Sequence, residues 1–160
     1  SLEIYERIRK THGKAVLPRR TLRGDYLGQM VHQQIRASAT RFNAYTGRYN
    51  RGCTHARCQH KRETNKHAVV QCQRYATMRR QFQLETGIVV TEANYVDIMA
   101  LNETVLGVPL NTLATALCRF LAHIAKVHKR ENHIASVAVP LGCNQRRSII
   151  RTNQSEQEPD

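Results

Sequence analysis

The sequence lacks tryptophan and has only three phenylalanines, so with 6% aromatic residues it can build only a modest hydrophobic core. No apolar run approaches the roughly 18–20 residues that a membrane span requires, and the N-terminus lacks the apolar stretch of a secretory signal. From 160 residues we expect one soluble, intracellular domain with frayed ends. The composition does not distinguish nucleus, cytoplasm and mitochondrion.

Acidic residues are also scarce, with 12 Asp and Glu against 25 Lys and Arg, and the resulting charge of +13 is unevenly spread. Residues 1–80 contain 18 basic and 4 acidic residues, whereas residues 81–130 contain 4 of each. A basic half of this kind attracts a polyanion, and the binding weakens with salt because neutralised phosphates release counterions. The charge favours RNA or DNA as the partner; no membrane partner or small-molecule substrate is expected.

The motifs that mark common catalytic sites are missing. The sequence has no Gly-rich phosphate-binding loop, no HExxH, no GxSxG and no close pair of carboxylates for a two-metal nuclease. Asp25, Glu63 and Asp97 stand apart, and each is better interpreted as a helix cap or salt-bridge partner than as a general base. We therefore expect that the protein is not an enzyme.

Apolar residues recur at the three- and four-residue spacing of amphipathic helices over most of the chain. The pattern predicts helices over residues 2–10 and 22–37, from the cysteine cluster to about residue 86, from Thr91 to Met99, and from Asn111 onward. The expected fold is mainly α, a small helical domain stapled by one structural zinc site, with little or no β-structure. We divide it into an N-terminal helix and basic linker (1–20), the zinc-stapled domain (21–131), and an extended or disordered tail (132–160).

Residues 41–51 alternate aromatic and basic side chains and lead into the cysteine cluster. Aromatic rings stack on unpaired bases while Arg neutralises phosphate, so this segment could line a path for a single strand. The aromatic residues also lie three and four positions apart, as in a helical turn packed on a core. We favour core packing for Phe42 and Tyr45 and leave both interpretations open for Tyr49.

The chemistry is concentrated in the pattern Cys53-x4-Cys58-x8-His67-x4-Cys72. Zinc prefers four tetrahedral ligands drawn from thiolate sulfur and imidazole nitrogen, and four protein ligands leave no open position for catalysis. These four residues are therefore the predicted ligands of a structural Zn²⁺. His55 and His60 each lie two residues from a cysteine and remain alternative ligands.

The pair His67 and Cys72 requires a break in the helix. Five positions on a regular helix advance about 500°, which leaves the two side chains roughly 140° apart. We predict a helical turn over residues 64–70 that ends near Gln71, so that Cys72 turns back to the metal. Basic neighbours are expected to lower the pKa of the thiols and offset the thiolate charge: Arg51, Arg57, Lys61, Arg62 and Lys66.

The remaining cysteines and histidines give weaker signals. Cys118 lies on the strongest helical pattern and is predicted to be a small buried side chain, and Cys143 has no partner at a useful spacing. The histidines at 123, 128 and 133 do not share a helical face, so we predict no second metal site there.

Several of these pieces occur in an order that resembles a known family. The pieces are the helix and aromatic-basic segment, the cysteine pair, Glu63-Thr64-x-x-His67-x4-Cys72 with Tyr75 and Arg79, and Leu106-Gly107 before a helix with Cys118-Arg119-Phe120-Leu121. Residues 22–130 resemble the C-terminal cysteine-histidine segment that follows the reverse transcriptase or its RNase H in non-LTR retrotransposon polyproteins. The resemblance implies the same four zinc ligands and a nucleic-acid-handling role.

Together, charge and motif predict a zinc-binding module that contacts RNA or single-stranded nucleic acid, as in a retroelement ribonucleoprotein. The residues expected to make this contact are Arg19, Arg20, Arg41, Arg48, Tyr49, Arg51, Arg57, Lys61, Arg62 and Lys66. The alternative is a structural RNA-packing subunit or scaffold of a large ribonucleoprotein, such as a mitochondrial ribosome, where the partners would include other subunits.

Overall fold

The computed structural model of the chain describes residues 2–14, 17, 24–58 and 61–138, with side chains described up to residue 134. The fold is mainly α, as predicted, and the only β-pairing in this part of the chain is one antiparallel bridge, between Gly52 and Arg62. The α-helices are α1 (Leu2–His12), α2 (Tyr26–Arg36), α3 (Asn43–Thr46), α4 (Ala76–Thr86), α5 (Tyr95–Met99), α6 (Glu103–Leu106) and α7 (Leu110–Ala138).

Helix α7 forms the centre of the core. Its apolar stripe buries Leu113, Leu117, Leu121 and Ile124 completely, and α2 and α4 pack along it. The crossing with α2 is close because a Cβ built on Gly28 would lie 1.8 Å from the carbonyl oxygen of Cys118. Gly28 is therefore a packing requirement in the middle of α2, which explains a residue that otherwise weakens a helix.

Helix α2 begins later than the apolar pattern predicted. Asp25 adopts an extended backbone conformation, and its side chain accepts a hydrogen bond from the Gly28 amide at 3.3 Å, which makes it the N-cap. The helix consequently starts at Tyr26 rather than at residue 22, and its end at Arg36 agrees with the prediction. Residues 18–23 lie outside the described part of the chain.

Helix α4 ends where predicted, with Gly87 in the left-handed conformation after Thr86. The helix expected from Thr91 starts at Tyr95 instead, so that prediction is wrong at its N-terminus. Thr91 and Asn94 each accept a hydrogen bond from the other's backbone amide, at 3.3 and 2.8 Å. This reciprocal pairing has the form of a capping box, and a turn over residues 92–94 leads from it into the helix.

The N-terminal helix joins the same core. Ile4 and Ile8 are buried with the residues of the other helices, and Arg7 forms an ion pair with Asp97 of α5 at 2.6 Å. Asp97 also accepts a hydrogen bond from Asn102 at 3.0 Å. The interpretation of Asp97 as a salt-bridge partner is thus confirmed.

Two further predictions are wrong, one about the C-terminal tail and one about the burial of Tyr45. Helix α7 continues to Ala138, so residues 132–138 are helical rather than extended or disordered; residues 139–160 lie outside the description. Phe42 is buried, with its ring edge-on to His128 at 5.0 Å between centroids, but Tyr45 is 40% exposed. Core packing therefore holds for Phe42 and fails for Tyr45.

Candidate metal centre and basic surface

A short hairpin holds the first two cysteines. The Cys53 amide donates to the Lys61 carbonyl at 2.8 Å, and the Glu63 amide donates to the Arg51 carbonyl at 3.0 Å. The loop between these bonds turns through residues 56–58, where the Cys58 amide donates to the His55 carbonyl at 3.0 Å. The hairpin therefore directs the side chains of Cys53 and Cys58 toward the same interior region, where both are buried.

The second pair of ligands lies on a π-helical turn, His67–Gln71. Thr64 caps the helical residues that lead into this turn, because its hydroxyl accepts a hydrogen bond from the His67 amide at 3.1 Å. The Cys72 amide donates to the His67 carbonyl at 2.7 Å, five residues back, and Cys72 itself is extended. The wider i→i+5 turn brings residue 72 back above residue 67, which a regular α-helix cannot do.

These four side chains form one cluster. The Cys72 Sγ atom lies 3.8 Å from Cys53 Sγ and 3.7 Å from Cys58 Sγ, and all ligand atoms, including one ring nitrogen of His67, lie within 4.8 Å of one another. Zinc–sulfur bonds of about 2.3 Å at tetrahedral angles require sulfurs about 3.8 Å apart. The spacing of the thiols fits a tetrahedral cation at the centre of the cluster.

The histidine supplies independent evidence for a ligand. Both ring nitrogens of His67 are buried and have no hydrogen-bond partner among the described residues. A buried imidazole with neither nitrogen satisfied is costly, and coordination of one nitrogen by a metal would remove part of that cost. The chemistry of the donor set, its spacing and this histidine together make the cluster compatible with a metal site.

The thiols of the cluster perturb one another. The hydrogen bond to Cys72, together with burial, raises the pKa of Cys53 to about 12, and the hydrogen bond from Cys53 lowers the pKa of Cys72. Three thiolates at this separation repel one another, so a central cation is needed to hold all three deprotonated.

Two arginines outside the set predicted to offset the thiolate charge lie beside the cluster. The Arg79 guanidinium donates to the carbonyls of Ala68, Val69 and Cys72, and so holds the π-helical turn in place. Arg74 donates from Nη2 to the Thr54 hydroxyl at 2.6 Å, and its charge acts on Cys53 and Cys72. Arg79 acts on Cys58 and Cys72 in the same way. These two charges partly offset the thiolates, the role that had been predicted for the exposed basic residues.

Of the two alternative ligands, His55 lies within the described residues and His60 does not. His55 is half-buried and its Nδ1 lies 3.9 Å from Cys58 Sγ, but it is not one of the four clustered residues. Its Nδ1 instead accepts a hydrogen bond from the Arg57 amide at 3.3 Å. His60 lies outside the described residues, as does Cys143. Cys118 is buried in the α7 stripe, as predicted.

A buried polar network connects the hairpin to α7. Glu63, at 1% exposure, accepts hydrogen bonds through Oε1 from His128 at 2.7 Å and from the Asn43 amide at 3.0 Å. Burial alone would raise the pKa of Glu63, but the hydrogen bonds from His128 and the Asn43 amide hold it below its usual value. Asn132 continues the network, 2.7 Å from His128 Nε2. Glu63 is therefore a structural ion-pair partner, as its isolation in the sequence indicated.

The exposed basic residues lie on the segments that surround the cluster. Exposed positions among the predicted contacts are Arg41, Arg48, Arg51, Arg57, Lys61 and Arg62, and none of them forms an ion pair within the described residues. Two predicted contacts have structural partners instead: Lys66 lies 3.6 Å from Glu92, and the Tyr49 hydroxyl donates to the Asn132 carbonyl at 3.1 Å. Arg19 and Arg20 lie outside the described residues.

The segment that carries this surface contains almost no acidic residues. Between residues 26 and 84 the chain has eleven Lys and Arg residues and a single acidic residue, Glu63, which is buried and paired with His128. No carboxylate of this segment therefore reaches solvent to reduce the positive potential around the hairpin.

Comparison with known proteins gives no relative: no family model, no curated protein and no solved structure matches the chain. Within the described residues, none of the helices combines the length and apolar character needed to cross a membrane.

Proposed function

We propose that the protein is a zinc-binding module that binds nucleic acid through the basic surface around its metal centre. The observation that carries this proposal is a tetrahedrally spaced Cys₃His cluster inside a segment whose only acidic residue is buried. The retrotransposon-like order of Glu63, Thr64, His67 and Cys72 supports the same function.

Zinc is the metal that best suits these ligands. Three thiolates and one imidazole in a closed, buried, tetrahedral arrangement are typical of structural zinc sites, whereas calcium and magnesium prefer oxygen ligands. The cation would connect the Cys53–Cys58 hairpin to the π-helical turn of His67–Gln71. Its binding energy would therefore contribute directly to folding.

The nucleic-acid part of the proposal depends on charge. The exposed arginines and lysines of the hairpin and its flanks have no acidic partner among the described residues, so they are available to neutralise phosphates. We favour RNA or an unpaired strand because aromatic residues are interspersed with the basic ones in residues 41–51.

The test uses the full chain loaded with zinc and a fluorescently labelled single-stranded RNA, with affinity measured by anisotropy at several salt concentrations. We compare the triple variant Arg48→Gln, Arg51→Gln, Arg62→Gln with a control that removes the same charge from α1 and the residues after it: Arg9→Gln, Lys10→Gln, Lys14→Gln. The first variant should lose affinity and reduce the slope of log K against log salt by about 0.7 for each lost contact. Equal losses in both variants, or an affinity that does not depend on salt, would contradict the proposal.

A further inference from the structure

Tyr45 is an exposed aromatic ring whose position is fixed. It lies in the short helix α3 and is 40% exposed, and its hydroxyl accepts a hydrogen bond from the Asn65 amide at 3.2 Å. Asn65 is itself buried and is held by the Thr40 hydroxyl at 2.6 Å. The ring is thus tied at its polar end to the segment that carries His67, while much of its surface faces solvent.

Exposed basic residues flank this ring along the chain. Arg41 and Arg48, which flank α3 in sequence, are both exposed. Lys66 follows Asn65, whose amide binds the Tyr45 hydroxyl, but its Nζ lies 3.6 Å from Glu92 and 5.9 Å from the centre of the Tyr95 ring. The basic residues that this site would use are therefore Arg41 and Arg48. An exposed aromatic ring with exposed arginines a few positions away is a combination that binds an unpaired nucleotide, with the base on the ring and the phosphates on the arginines.

The chain after Tyr45 folds in an unusual backbone conformation that keeps this surface in place. Gly47 has φ +72°, and Tyr49, Asn50 and Arg51 follow with φ of +49°, +54° and +63°. L-residues rarely adopt such angles, and three in succession require support from elsewhere. The support consists of the bond from the Tyr49 hydroxyl to the Asn132 carbonyl and the bond from the Glu63 amide to the Arg51 carbonyl.

We propose that Tyr45 is a stacking site for an unpaired base, with Arg41 and Arg48 binding the adjacent phosphates of a single strand. This inference rests on the proposed nucleic-acid function and specifies its ligand as a single strand rather than a duplex. In a duplex each base is already stacked between its neighbours and is not free to cover the ring. Phe42 and Tyr49 do not serve this role because the first is buried and the second bonds to α7.

The first experiment measures binding of the zinc-loaded full chain to a 12-nucleotide single-stranded RNA, to the same length of strand without bases, and to a blunt duplex. Tyr45→Leu should weaken binding to the single strand about tenfold and leave binding to the abasic strand within twofold, since only the stacking is removed. Tyr45→Phe retains the ring and should stay close to wild type for the single strand. Tyr26→Leu is the matched control, because Tyr26 is an exposed tyrosine at the start of α2.

The second experiment uses the absence of tryptophan from the chain. Tyr45→Trp introduces a single indole, whose fluorescence a stacked base should quench, whereas the indole of Tyr26→Trp should respond little to the same RNA. Repeating both titrations with single-stranded DNA distinguishes RNA from DNA as the source of the base.

The outcomes separate this inference from the proposed function. If the wild-type chain binds the single strand in a salt-dependent way but Tyr45→Leu binds it equally well, the stacking site is wrong and the electrostatic proposal stands. Equal weakening on the strand with and without bases would also overturn the stacking role. If the wild-type chain binds no nucleic acid, the proposed function fails first. Zinc content and circular dichroism of each variant identify any loss of folding. If Tyr45→Leu does not fold, the quenching of Tyr45→Trp decides the stacking question, and an indole at position 45 that responds no more than the indole of Tyr26→Trp would overturn the stacking site.

Discussion

His67 and Cys72 lie at the two ends of one π-helical turn, in which the Cys72 amide donates to the His67 carbonyl at 2.7 Å. The turn replaces the regular helix that would have directed the two side chains apart. As a result the imidazole and the thiol converge on the sulfurs of Cys53 and Cys58 from the far side of the cluster.

The four clustered side chains should bind the metal, and the neighbouring histidine should not. We expect His67→Ala and Cys72→Ser to lower zinc affinity by at least 100-fold, because each removes one of four bonds from a closed tetrahedral site. His55→Ala and Cys118→Ala should retain affinity within a few-fold, since neither residue belongs to the cluster. Competition with a chelator of known affinity measures all four variants. If His55→Ala lost as much zinc affinity as Cys72→Ser, the assignment of Cys53, Cys58, His67 and Cys72 as the four ligands would be wrong.

Arg79 should stabilise the metal centre without touching the metal. Its guanidinium bonds three carbonyls of the π-helical turn, so Arg79→Met should cost about 2–3 kcal/mol of unfolding free energy and lower zinc affinity roughly 10-fold to 100-fold. Arg80→Met is the control, because Arg80 is exposed on the same helix and should change stability by no more than about 0.5 kcal/mol. Urea unfolding with zinc present measures both, and matching effects would refute the role of Arg79.

The sequence was sufficient to predict which four side chains cluster, the break before Cys72 and most of the helices, because these depend on local spacing. The sequence did not indicate Arg74 and Arg79 as the charges beside the thiols. Both residues follow Cys72 in sequence, and their side chains turn toward the cluster only in the folded chain. The pairing of Glu63 with His128 joins residues 65 positions apart, and no local pattern encodes such a contact.

Tyr45 shows a second limit of spacing arguments. Phe42 and Tyr45 lie three residues apart, which on a long helix would place both against the core. Helix α3 has only four residues and ends at Gly47, so Phe42 turns inward as its N-cap while the Tyr45 ring remains at the surface. The predicted helix ends also differ from the structure at Thr91 and beyond Asn132. Thr91 pairs reciprocally with Asn94, and Asn132 accepts tertiary hydrogen bonds from Tyr49 and Thr54 that hold the end of α7.

The buried pair of Glu63 and His128 should contribute more than the exposed pair of Lys66 and Glu92. Glu63→Gln leaves the network without its charge, and we expect a loss of about 3–5 kcal/mol of stability. Glu92→Gln should cost less than about 1 kcal/mol, because both members of that pair are largely solvated. Chemical denaturation of the two variants makes the comparison, and equal losses would mean that the buried network does not stabilise the hairpin against α7.

His32 should make stability depend on pH in a defined window. Complete burial and the positive charge of Arg36 lower the pKa of His32 from 6.5 to about 4, although its hydrogen bond to the Met99 carbonyl at 2.7 Å acts in the opposite direction. Because the folded state binds this proton less readily than the unfolded state, the stabilisation is complete above pH 6.5 and declines as the pH falls toward 4. The loss should reach about 3 kcal/mol at the lower end of this window.

Comparison with His32→Gln isolates this effect, since both proteins keep the same metal ligands and the variant retains an N–H donor. The stability difference between wild type and variant should shrink steadily from pH 7 to pH 4.5 in urea unfolding. His123→Gln, at an exposed position of α7, should follow the wild-type profile. A difference between wild type and His32→Gln that does not change with pH would show that His32 is not the titrating group.

The most direct test of the metal centre is X-ray absorption at the zinc edge of the purified full chain. We expect one zinc per chain with three sulfur neighbours at about 2.3 Å and one nitrogen neighbour at about 2.0 Å, from Cys53, Cys58, Cys72 and His67. Two sulfurs with two nitrogens, an oxygen shell, or a chain that retains no zinc would contradict the Cys₃His site on which the proposed function depends.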